Sequence, residues 1–464
     1  MFTRNKEGER PMNRNHRRIQ HHLSALLLLS LILSSCAAFT NSAAKSQESE
    51  VPRNVIVMIA DGCGFNHVLA ADLYQRGKAN AQVYERFPVK LAMTTFPDGG
   101  EYSPSKAKKD PKYLDVAPTD SAAAATAMAT GVKTYNAAIG VDKNKKPVPS
   151  ILERAEALGK STGVVTTVPI SHATPAGFAA HDPSRNNYEQ IGRQMIRRSA
   201  LEVIMGCGNP AFNDSAKPTT GPLDYKYVGG KRTWDGLLQG KAGADADGDG
   251  LPDPWTLIQT REQFQKLDTG PAPKRLLGVA QAATTLQAYR KGDAKAAPYA
   301  VPPNPNVPTL AEMTRAALNV LDDNPKGLCL MIEGGAVDWA AHSHESGRMI
   351  EEELDFDKAV EAVVDWVGKN GNWKDTLVVV TADHETGRLT GKNPRKPGLK
   401  SSPEGKIPEM LWNSGGHTNS LVPFFAKGAG AERFVQRATG KDPVRGRYID
   451  NTDIANVVFS LMQD

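Results

Sequence analysis

Four apolar runs, each followed at once by polar or glycine residues, dominate the pattern of this chain. They cover residues 54–60, 163–168, 328–332 and 377–381. Their apolar residues are continuous rather than alternating with polar ones, which is typical of strands that are buried on both faces. The pattern therefore predicts a mostly parallel sheet.

Segments with helical signals alternate with these runs. Residues 150–153 and 309–312 have the residue types and spacing of capping boxes, which open helices. Apolar residues then recur at roughly helical spacing over residues 350–367, and Asn370-Gly371 marks the end of that segment. The alternation predicts an α/β fold of the doubly wound kind, with a large, central, mostly parallel sheet flanked by helices on both faces.

Three long polar stretches interrupt the alternation. Residues 97–118 are rich in lysine, residues 209–308 in glycine, proline, aspartate and lysine, and residues 391–412 in proline, lysine and glycine. We interpret residues 51–464 as one domain, in which residues 209–308 form a partly structured insertion and residues 391–412 a loop insertion.

The first 50 residues have the features of an export signal. Residues 1–22 are basic and polar and residues 23–33 are apolar, as in the n-region and h-region of a signal peptide. Residues 33–36 (LSSC) resemble the lipobox of bacterial lipoproteins. We expect residues 1–35 to be removed, Cys36 to carry the lipid, residues 36–50 to form a flexible tether, and the protein to lie in the periplasm, anchored to the outer membrane. The alternative is an ordinary signal peptide, with Cys36 incidental.

Composition and charge exclude several classes of protein. Hydrophobic residues make up 40% and charged residues 23% of the 464 residues, which excludes a disordered chain. The formal charge is +5, but residues 1–35 hold six basic and two acidic side chains, so the remainder is close to neutral and no nucleic-acid partner is expected. The chain contains no run of 18 or more apolar residues, so the sequence predicts no membrane-spanning helix.

Residues that can bind metals or transfer protons follow the predicted strands. Because ligand sites in parallel sheets form outside the carboxyl ends of the strands, these positions carry the most information about chemistry. Any one of them is unspecific, since an Asp-Gly pair after a strand is usually a turn. Four strands that all end in oxygen or imidazole groups predict a metal site. The residues are Asp61, His172, Thr174, Glu333, Asp383 and His384.

Two further segments extend this set. If a helix begins near Gly335, then Asp338 and His342 are four residues apart and share one face. Residues 415–418 place His417 in a glycine-rich loop. Zinc in catalytic sites favours three protein ligands of mixed nitrogen and oxygen type, which these residues could supply.

Ser121, in the segment PTDSAAAATA (118–127), is the candidate nucleophile and has two interpretations. Thr119, Asp120 and Ser121 are residue types that cap an alanine-rich helix, which is a purely structural role. The same position offers free N–H groups and positive potential that suit a phosphate group, and metal coordination can activate a serine hydroxyl.

From about Asn54 to the C-terminus, the sequence resembles the bacterial alkaline phosphatases. The motifs that carry the resemblance are TDSAAAATAMATGVKT (119–134), HATPAGFAAHDPSR (172–185), EGGAVDWAAH (333–342), TADHETG (381–387) and GGHTNSLVPFFAKG (415–428).

The resemblance implies two zinc ions and one magnesium ion per chain. It implies that the first zinc is held by Asp338, His342 and His417. It implies that the second zinc, which also meets Ser121, is held by Asp61, Asp383 and His384. It implies that Asp61 also reaches a magnesium ion, whose other ligands are Thr174 and Glu333. Arg185 would bind two phosphoryl oxygens, as its planar guanidinium does well.

The implied activity is hydrolysis of phosphate monoesters to an alcohol and inorganic phosphate, through a phosphoserine on Ser121. Dimerisation is common in this family, so a second copy of the chain is a candidate partner. The alternatives are a phosphodiesterase or sulfatase of the same superfamily, and a non-catalytic metal-binding lipoprotein. A sulfatase needs a modified Cys or Ser in a C/S-x-P-x-R context, which residues 121–125 lack, and phosphodiesterase relatives commonly use a threonine nucleophile.

Two positions near the site depart from the best-studied bacterial pattern. His172 stands where an aspartate near magnesium is found, and Trp339 where a lysine reaches phosphate through water. Because magnesium prefers oxygen, His172 is not expected to bind it directly. One carboxylate and one ammonium fewer imply weaker magnesium binding and weaker inhibition by phosphate, with His172 and Trp339 close to the bound substrate.

An acidic segment resembles a calcium-binding loop of the D-x-D-x-D-G type. Its acidic residues are Asp245, Asp247, Asp249 and Asp253. It lacks the glutamate expected at the twelfth position, where Thr256 stands. Calcium is therefore a candidate ligand, and a flexible acidic turn is the alternative.

Overall fold

The computed structural model describes residues 51–246, 249–370, 372–393 and 398–462. An 11-stranded sheet runs through this part of the chain. Its strands, in chain order, are β1 (Asn54–Ala60), β2 (Val89–Thr94), β3 (Ser161–Pro169), β4 (Val203–Cys207), β7 (Thr256–Ile258), β8 (Leu276–Val279), β9 (Leu328–Gly334), β10 (Thr376–Thr381), β13 (Val422–Gly428), β14 (Gly440–Asp442) and β15 (Gly446–Asp450). Two small two-stranded sheets add β5 (Gly243–Ala244) with β6 (Asp253–Pro254) and β11 (Glu385–Thr386) with β12 (His417–Thr418).

The order of the strands is β14-β15-β2-β13-β10-β1-β9-β3-β4-β8-β7. Neighbours from β10 through β7 are parallel, whereas β13 is antiparallel to both β10 and β2, and β14 is antiparallel to β15. All residues of β1, β3, β9 and β10 are buried. The predicted α/β fold with a mostly parallel sheet is confirmed.

Thirteen α-helices connect the strands within the described ranges. They are α1 (Phe65–Arg76), α2 (Pro104–Lys109), α3 (Ser121–Thr130), α4 (Ile151–Ala157), α5 (Ala173–Ala179), α6 (Tyr188–Arg198), α7 (Lys231–Leu238), α8 (Arg261–Lys266), α9 (Leu310–Leu321), α10 (Ala336–His342), α11 (Ser346–Lys369), α12 (Glu432–Arg437) and α13 (Thr452–Leu461). Short 3-10 helices cover Tyr84–Arg86, Pro111–Asp115 and Lys226–Val228. Of the helices described, none is long and apolar enough for a membrane span.

The helices pack in two groups that both touch the middle of the sheet. Helix α11 packs on α1, α9 and α10 and contacts β9 and β1. Helix α3 packs on α5 and α13, and the neighbouring α4 contacts β3 and β9. The predicted capping boxes open α4 and α9, where Ser150 pairs with Glu153 and Thr309 with Glu312.

The predicted insertion of residues 209–308 joins the sheet rather than standing apart. Its strands β8 and β7 extend the parallel part beyond β4, and helices α7 and α8 lie in the same segment. The polar stretch 97–118 also contains structure, namely α2 and a 3-10 helix. The insertion bounds and the tether remain predictions, and residues 1–50 lie outside the described part.

A group of buried acidic side chains lies beside α11. The hydroxyl of Tyr84 donates to Oε1 of Glu353 at 3.3 Å, and Asp357 is 2% exposed. Burial raises the pKa of Glu353 to about 7 and that of Glu85 to about 8. Burial and the nearby Glu353 raise the pKa of Asp357 well above its ordinary value. Because each folded-state pKa is raised, the folded state loses stability as pH rises through these values.

Replacing Glu353 with glutamine is therefore expected to flatten the fall of the unfolding temperature between about pH 4.5 and pH 7. In this window the wild-type carboxyl ionises in the unfolded chain but stays protonated in the folded protein, which costs the folded state on the order of 3 kcal/mol by pH 7 and no more above it. Thermal unfolding at constant metal concentration measures the effect. Exposed Glu361 on the same helix gives the matched control, Glu361→Gln. If the unfolding temperature fell equally steeply with pH in Glu353→Gln and wild type, the raised pKa of Glu353 would be contradicted.

Candidate active site

Four neighbouring parallel strands end at one edge of the sheet and deliver the predicted site residues there. The strands are adjacent in the order β10-β1-β9-β3. Asp61 follows β1, Glu333 is the penultimate residue of β9, and Asp383 and His384 follow β10. His172 and Thr174 follow β3, at the start of α5. All six side chains are buried.

The first candidate metal group contains Asp338, His342 and His417. Helix α10 places Asp338 and His342 one turn apart, with Nε2 of His342 3.4 Å from Oδ1 of Asp338. The Nε2 atom of His417 lies 3.5 Å from the same oxygen. The structure therefore brings together the three residues predicted for the first zinc.

The protonation of these two histidines follows from their other ring nitrogens. Nδ1 of His342 donates to the carbonyl of Gly415 at 2.8 Å, and Nδ1 of His417 donates to the carbonyl of Thr119 at 2.8 Å. Because a carbonyl can only accept, each neutral ring carries its hydrogen on Nδ1. The two Nε2 atoms, 3.0 Å apart, then face each other with lone pairs. A cation between them removes this repulsion, so the geometry fits a metal ion.

The second candidate group lies next to the first. Nε2 of His384 is 3.2 Å from Oδ2 of Asp383 and 3.5 Å from Oδ1 of Asp61. Oδ1 of Asp383 accepts hydrogen bonds from the N–H groups of Gly62 and His384, which leaves Oδ2 facing His384. Ligand atoms of Asp61, His384 and also Asp338 lie within 4.8 Å of one another. Asp338 therefore also lies close to the second group, which the sequence did not predict.

Oxygens suited to a third cation lie around Asp61. Both carboxylate oxygens of Asp61, Oγ1 of Thr174 and Oε1 of Glu333 are buried and have no hydrogen-bond partner among the residues the structure describes. The hydroxyl of Thr166 donates to the other oxygen of Glu333. A buried oxygen without a partner is costly, and a hard cation such as magnesium takes oxygen ligands. The chemistry of this set fits the predicted magnesium ion.

The electrostatics of the cluster point the same way. Burial, followed by the charges of Asp383, Asp338 and Glu333, raises the pKa of Asp61 well above its ordinary value. Burial raises the pKa of Asp383 to about 6 and that of Glu333 to about 7. These carboxylates repel one another in a place with little water, and bound cations offset that repulsion.

Ser121 begins α3 and is available for chemistry. The cap of this helix is Asp120, whose Oδ1 accepts from the N–H of Ala123 at 2.9 Å. Oγ of Ser121 lies 3.3 Å from Nε2 of His384 and is buried at the second metal group. Since Asp120 caps the helix, the hydroxyl of Ser121 is not needed for that purpose.

Arg185 lies beside the same helix end. Its Nη1 donates to Oδ2 of Asp120 at 3.0 Å, and its Nη2 is 3.4 Å from Nε2 of His172. Oδ2 of Asp120 also accepts from the N–H of Ala137 at 3.0 Å. Asp120 therefore both caps α3 and holds the guanidinium, a role that the capping pattern alone could not indicate.

His172 and Trp339 form an aromatic wall next to Arg185. Their ring centroids are 5.3 Å apart, and Tyr188 stacks on His172 with ring centroids 6.2 Å apart. Burial, and then the charge of Arg185, lower the pKa of His172 well below its ordinary value, so the ring is neutral. Tyr289 packs against Trp339, with ring centroids 5.3 Å apart. Neither residue lies in the candidate metal groups found among the described residues.

The family model for alkaline phosphatase matches residues 52–408. The chain belongs to the alkaline phosphatase family. Alkaline phosphatase 4 of Bacillus subtilis is 31% identical over 91% of this chain and 91% of its own. The cold-active alkaline phosphatase of a psychrophilic Shewanella is 26% identical, with a TM-score of 0.63 and coverage of 89% and 100%.

A third comparison concerns the fold. A histidine-to-aspartate variant of the alkaline phosphatase from the Antarctic bacterium TAB5, solved with magnesium bound, is 24% identical, with a TM-score of 0.61 and coverage of 89% and 99%. It supports the alkaline phosphatase fold of this chain.

The acidic loop of this alkaline phosphatase is only partly described, because Asp247 lies outside the described residues. Oδ1 of Asp253 is 2.8 Å from Nζ of Lys274, and its Oδ2 accepts from the N–H of Ala246. Asp245 and Asp249 accept from the N–H groups of Gly250 and Leu251. Lys274 already offsets the charge of Asp253, and calcium binding here stays a prediction.

Sequence reasoning missed the residues that support the candidate metal ligands of this alkaline phosphatase. Thr166 bonds to Glu333, and Thr386 bonds to Asp338. Glu385 accepts from the hydroxyl of Thr418, next to His417. Thr386 and Glu385 stand inside the motif TADHETG and Thr166 inside a predicted strand, so only their three-dimensional contacts assign them a role.

Proposed function

We propose that this alkaline phosphatase hydrolyses phosphate monoesters to an alcohol and inorganic phosphate through a phosphoserine on Ser121. One observation carries the proposal. The Ser121 hydroxyl, freed from capping by Asp120, stands at the N-terminus of α3, 3.3 Å from Nε2 of His384, and the neighbouring Asp120 holds Arg185.

We assign two zinc ions and one magnesium ion to the three ligand sets. The first zinc would be held by Asp338, His342 and His417. The second would be held by Asp61, Asp383 and His384. The magnesium would be held by Asp61, Thr174 and Glu333. When bound, such ions lower the pKa of a hydroxyl or water and offset charge on the entering and leaving oxygens.

The residues of the chain position the reacting groups. Arg185 binds two phosphoryl oxygens through its two terminal nitrogens, while Asp120 fixes the guanidinium in place. Free N–H groups at the start of α3 add positive potential at the phosphoryl group. Oγ of Ser121 forms a bond to phosphorus as the bond to the ester oxygen breaks, and the alcohol leaves with a proton.

In the second half of the reaction water forms a bond to phosphorus and the bond to Oγ of Ser121 breaks. The hydroxyl is regenerated and phosphate leaves. Arg185 holds the phosphoryl group in both halves, so positioning and charge supply most of the rate. Because these contacts address the phosphoryl group and not the alcohol, broad specificity for the alcohol is expected.

A comparison of ester classes tests this proposal. The purified protein should hydrolyse an aryl phosphate monoester much faster than the matching aryl phosphodiester or aryl sulfate, because two terminal oxygens of a dianion fit Arg185 and a second ester group crowds it. Faster hydrolysis of the diester would favour the phosphodiesterase alternative. Metal uptake without hydrolysis of any ester would favour a metal-binding lipoprotein.

We further propose that the enzyme is exported to the periplasm and anchored to the outer membrane by a lipid on Cys36. The proposal is supported by the apolar run of residues 23–33 and the LSSC sequence that follows it. Labelled fatty acid should be incorporated into the wild-type protein and not into Cys36→Ser. A homodimer is proposed only from its frequency in the family.

A further inference from the structure

Thr386 lies where four ligand-bearing segments meet. It is in β11 and pairs with His417 of β12. Its N–H donates to the carbonyl of Gly62, next to Asp61, at 2.9 Å. Its hydroxyl contacts Asp338 and His384. The side chain is fully buried, so its contacts persist without competition from water.

The hydroxyl of Thr386 can make these two contacts in only one sense. It donates its single hydrogen to Oδ1 of Asp338 at 2.5 Å. The contact with Nδ1 of His384, at 3.3 Å, must then be a hydrogen bond that the ring donates. His384 is thereby held with its hydrogen on Nδ1, and its Nε2 lone pair faces Ser121, Asp61 and Asp383.

The accepting oxygen belongs to the other metal group. Oδ1 of Asp338 is the atom that lies 3.4 Å from Nε2 of His342 and 3.5 Å from Nε2 of His417. One directed chain of hydrogen bonds therefore runs from His384 through Thr386 to Asp338. It ends on a ligand of the first group and begins on a ligand of the second.

We propose that Thr386 is a positioning residue that links the two zinc groups, fixing the ring of His384 in the second and the carboxylate of Asp338 in the first. The proposal rests on the proposed metal occupancy. Residues that orient metal ligands in this way typically change metal affinity by about 10–100-fold when they are replaced. Loss of the hydroxyl is expected to weaken zinc binding at both groups, although Thr386 is not itself a proposed metal ligand.

Zinc titration of the metal-stripped, full-length protein tests the link. Thr386→Val removes the hydroxyl and keeps the branched shape, whereas Thr386→Ser keeps the hydroxyl. The matched control is Thr376→Val at the other end of β10, where a buried threonine bonds to Asn54 and Asp375. We expect Thr386→Val to weaken zinc binding by about 10–100-fold, Thr386→Ser to restore most of it, and Thr376→Val to bind like wild type.

The two groups are separated by repeating the titration in two backgrounds. His384→Ala keeps the three proposed ligands of the first zinc, and His417→Ala keeps those proposed for the second. Weaker binding caused by Thr386→Val in both backgrounds supports the link. Unchanged affinity in either background, or a serine variant as weak as the valine variant, would overturn it. A wild-type protein that takes up no zinc at all would instead overturn the proposed function, and the link with it.

Discussion

Ser121→Ala is expected to lower turnover of a phosphate monoester by at least about 10³-fold, because removal of an attacking side chain leaves only binding and charge stabilisation. The zinc content should not change, since the variant keeps all the side chains proposed to hold the two zinc ions and the hydroxyl only adjoins the second group. Steady-state hydrolysis of an aryl phosphate, with metal analysis of the same sample, measures both quantities.

The control for this change is Ser161→Ala. Ser161 is a buried serine at the N-terminal end of β3, away from the candidate active site, and it accepts a hydrogen bond from Asn324. The control should keep wild-type turnover. Quenching wild type in acid during turnover should trap a phosphorylated Ser121, and Ser121→Ala should trap none. Wild-type turnover in Ser121→Ala would rule out the covalent route.

Removal of metal by a chelator is expected to abolish activity and to lower the unfolding temperature. Without cations the buried carboxylates around Asp61 repel one another, and the Nε2 lone pairs of His342 and His417 face each other. An ion at a thousandfold excess over its dissociation constant stabilises the folded state by about 4 kcal/mol, so loss of several ions should shift unfolding clearly. Zinc with magnesium should restore both activity and stability.

The Ser121→Ala variant separates stability from catalysis in this experiment. It keeps the ligands, so the chelator should lower its unfolding temperature as much as it lowers that of wild type. Thermal unfolding with and without metal gives this comparison. Full activity after exhaustive chelation, verified by metal analysis, would contradict the assigned role of the three ligand sets.

The central strands could be predicted because their physics is local. A strand buried on both faces must be apolar throughout, and β1, β3, β9 and β10 carry that pattern. The antiparallel part was not predicted. Strand β13 contains Pro423, which cannot donate to a ladder and usually argues against a strand inside a sheet, and β2 has a charged exposed residue at Lys90.

The candidate ligands could be located from the sequence because the ends of parallel strands meet at one edge. The resemblance to a known family then grouped them. That Asp338 lies close to both candidate metal groups could not be predicted, because its position depends on how α10 packs against β11. The hydrogen position on each histidine depends on carbonyl groups of Gly415 and Thr119 that are distant in sequence.

The two outer strands of the central sheet, β7 and β14, are only three residues long. A sheet edge exposes unpaired N–H and C=O groups on which the strand of another molecule can align. Edge strands this short, one of which contains Lys441, offer too few backbone groups for a neighbouring polypeptide to pair with. The wide sheet is thus protected from growing sideways into fibrous aggregates, even at high local concentration.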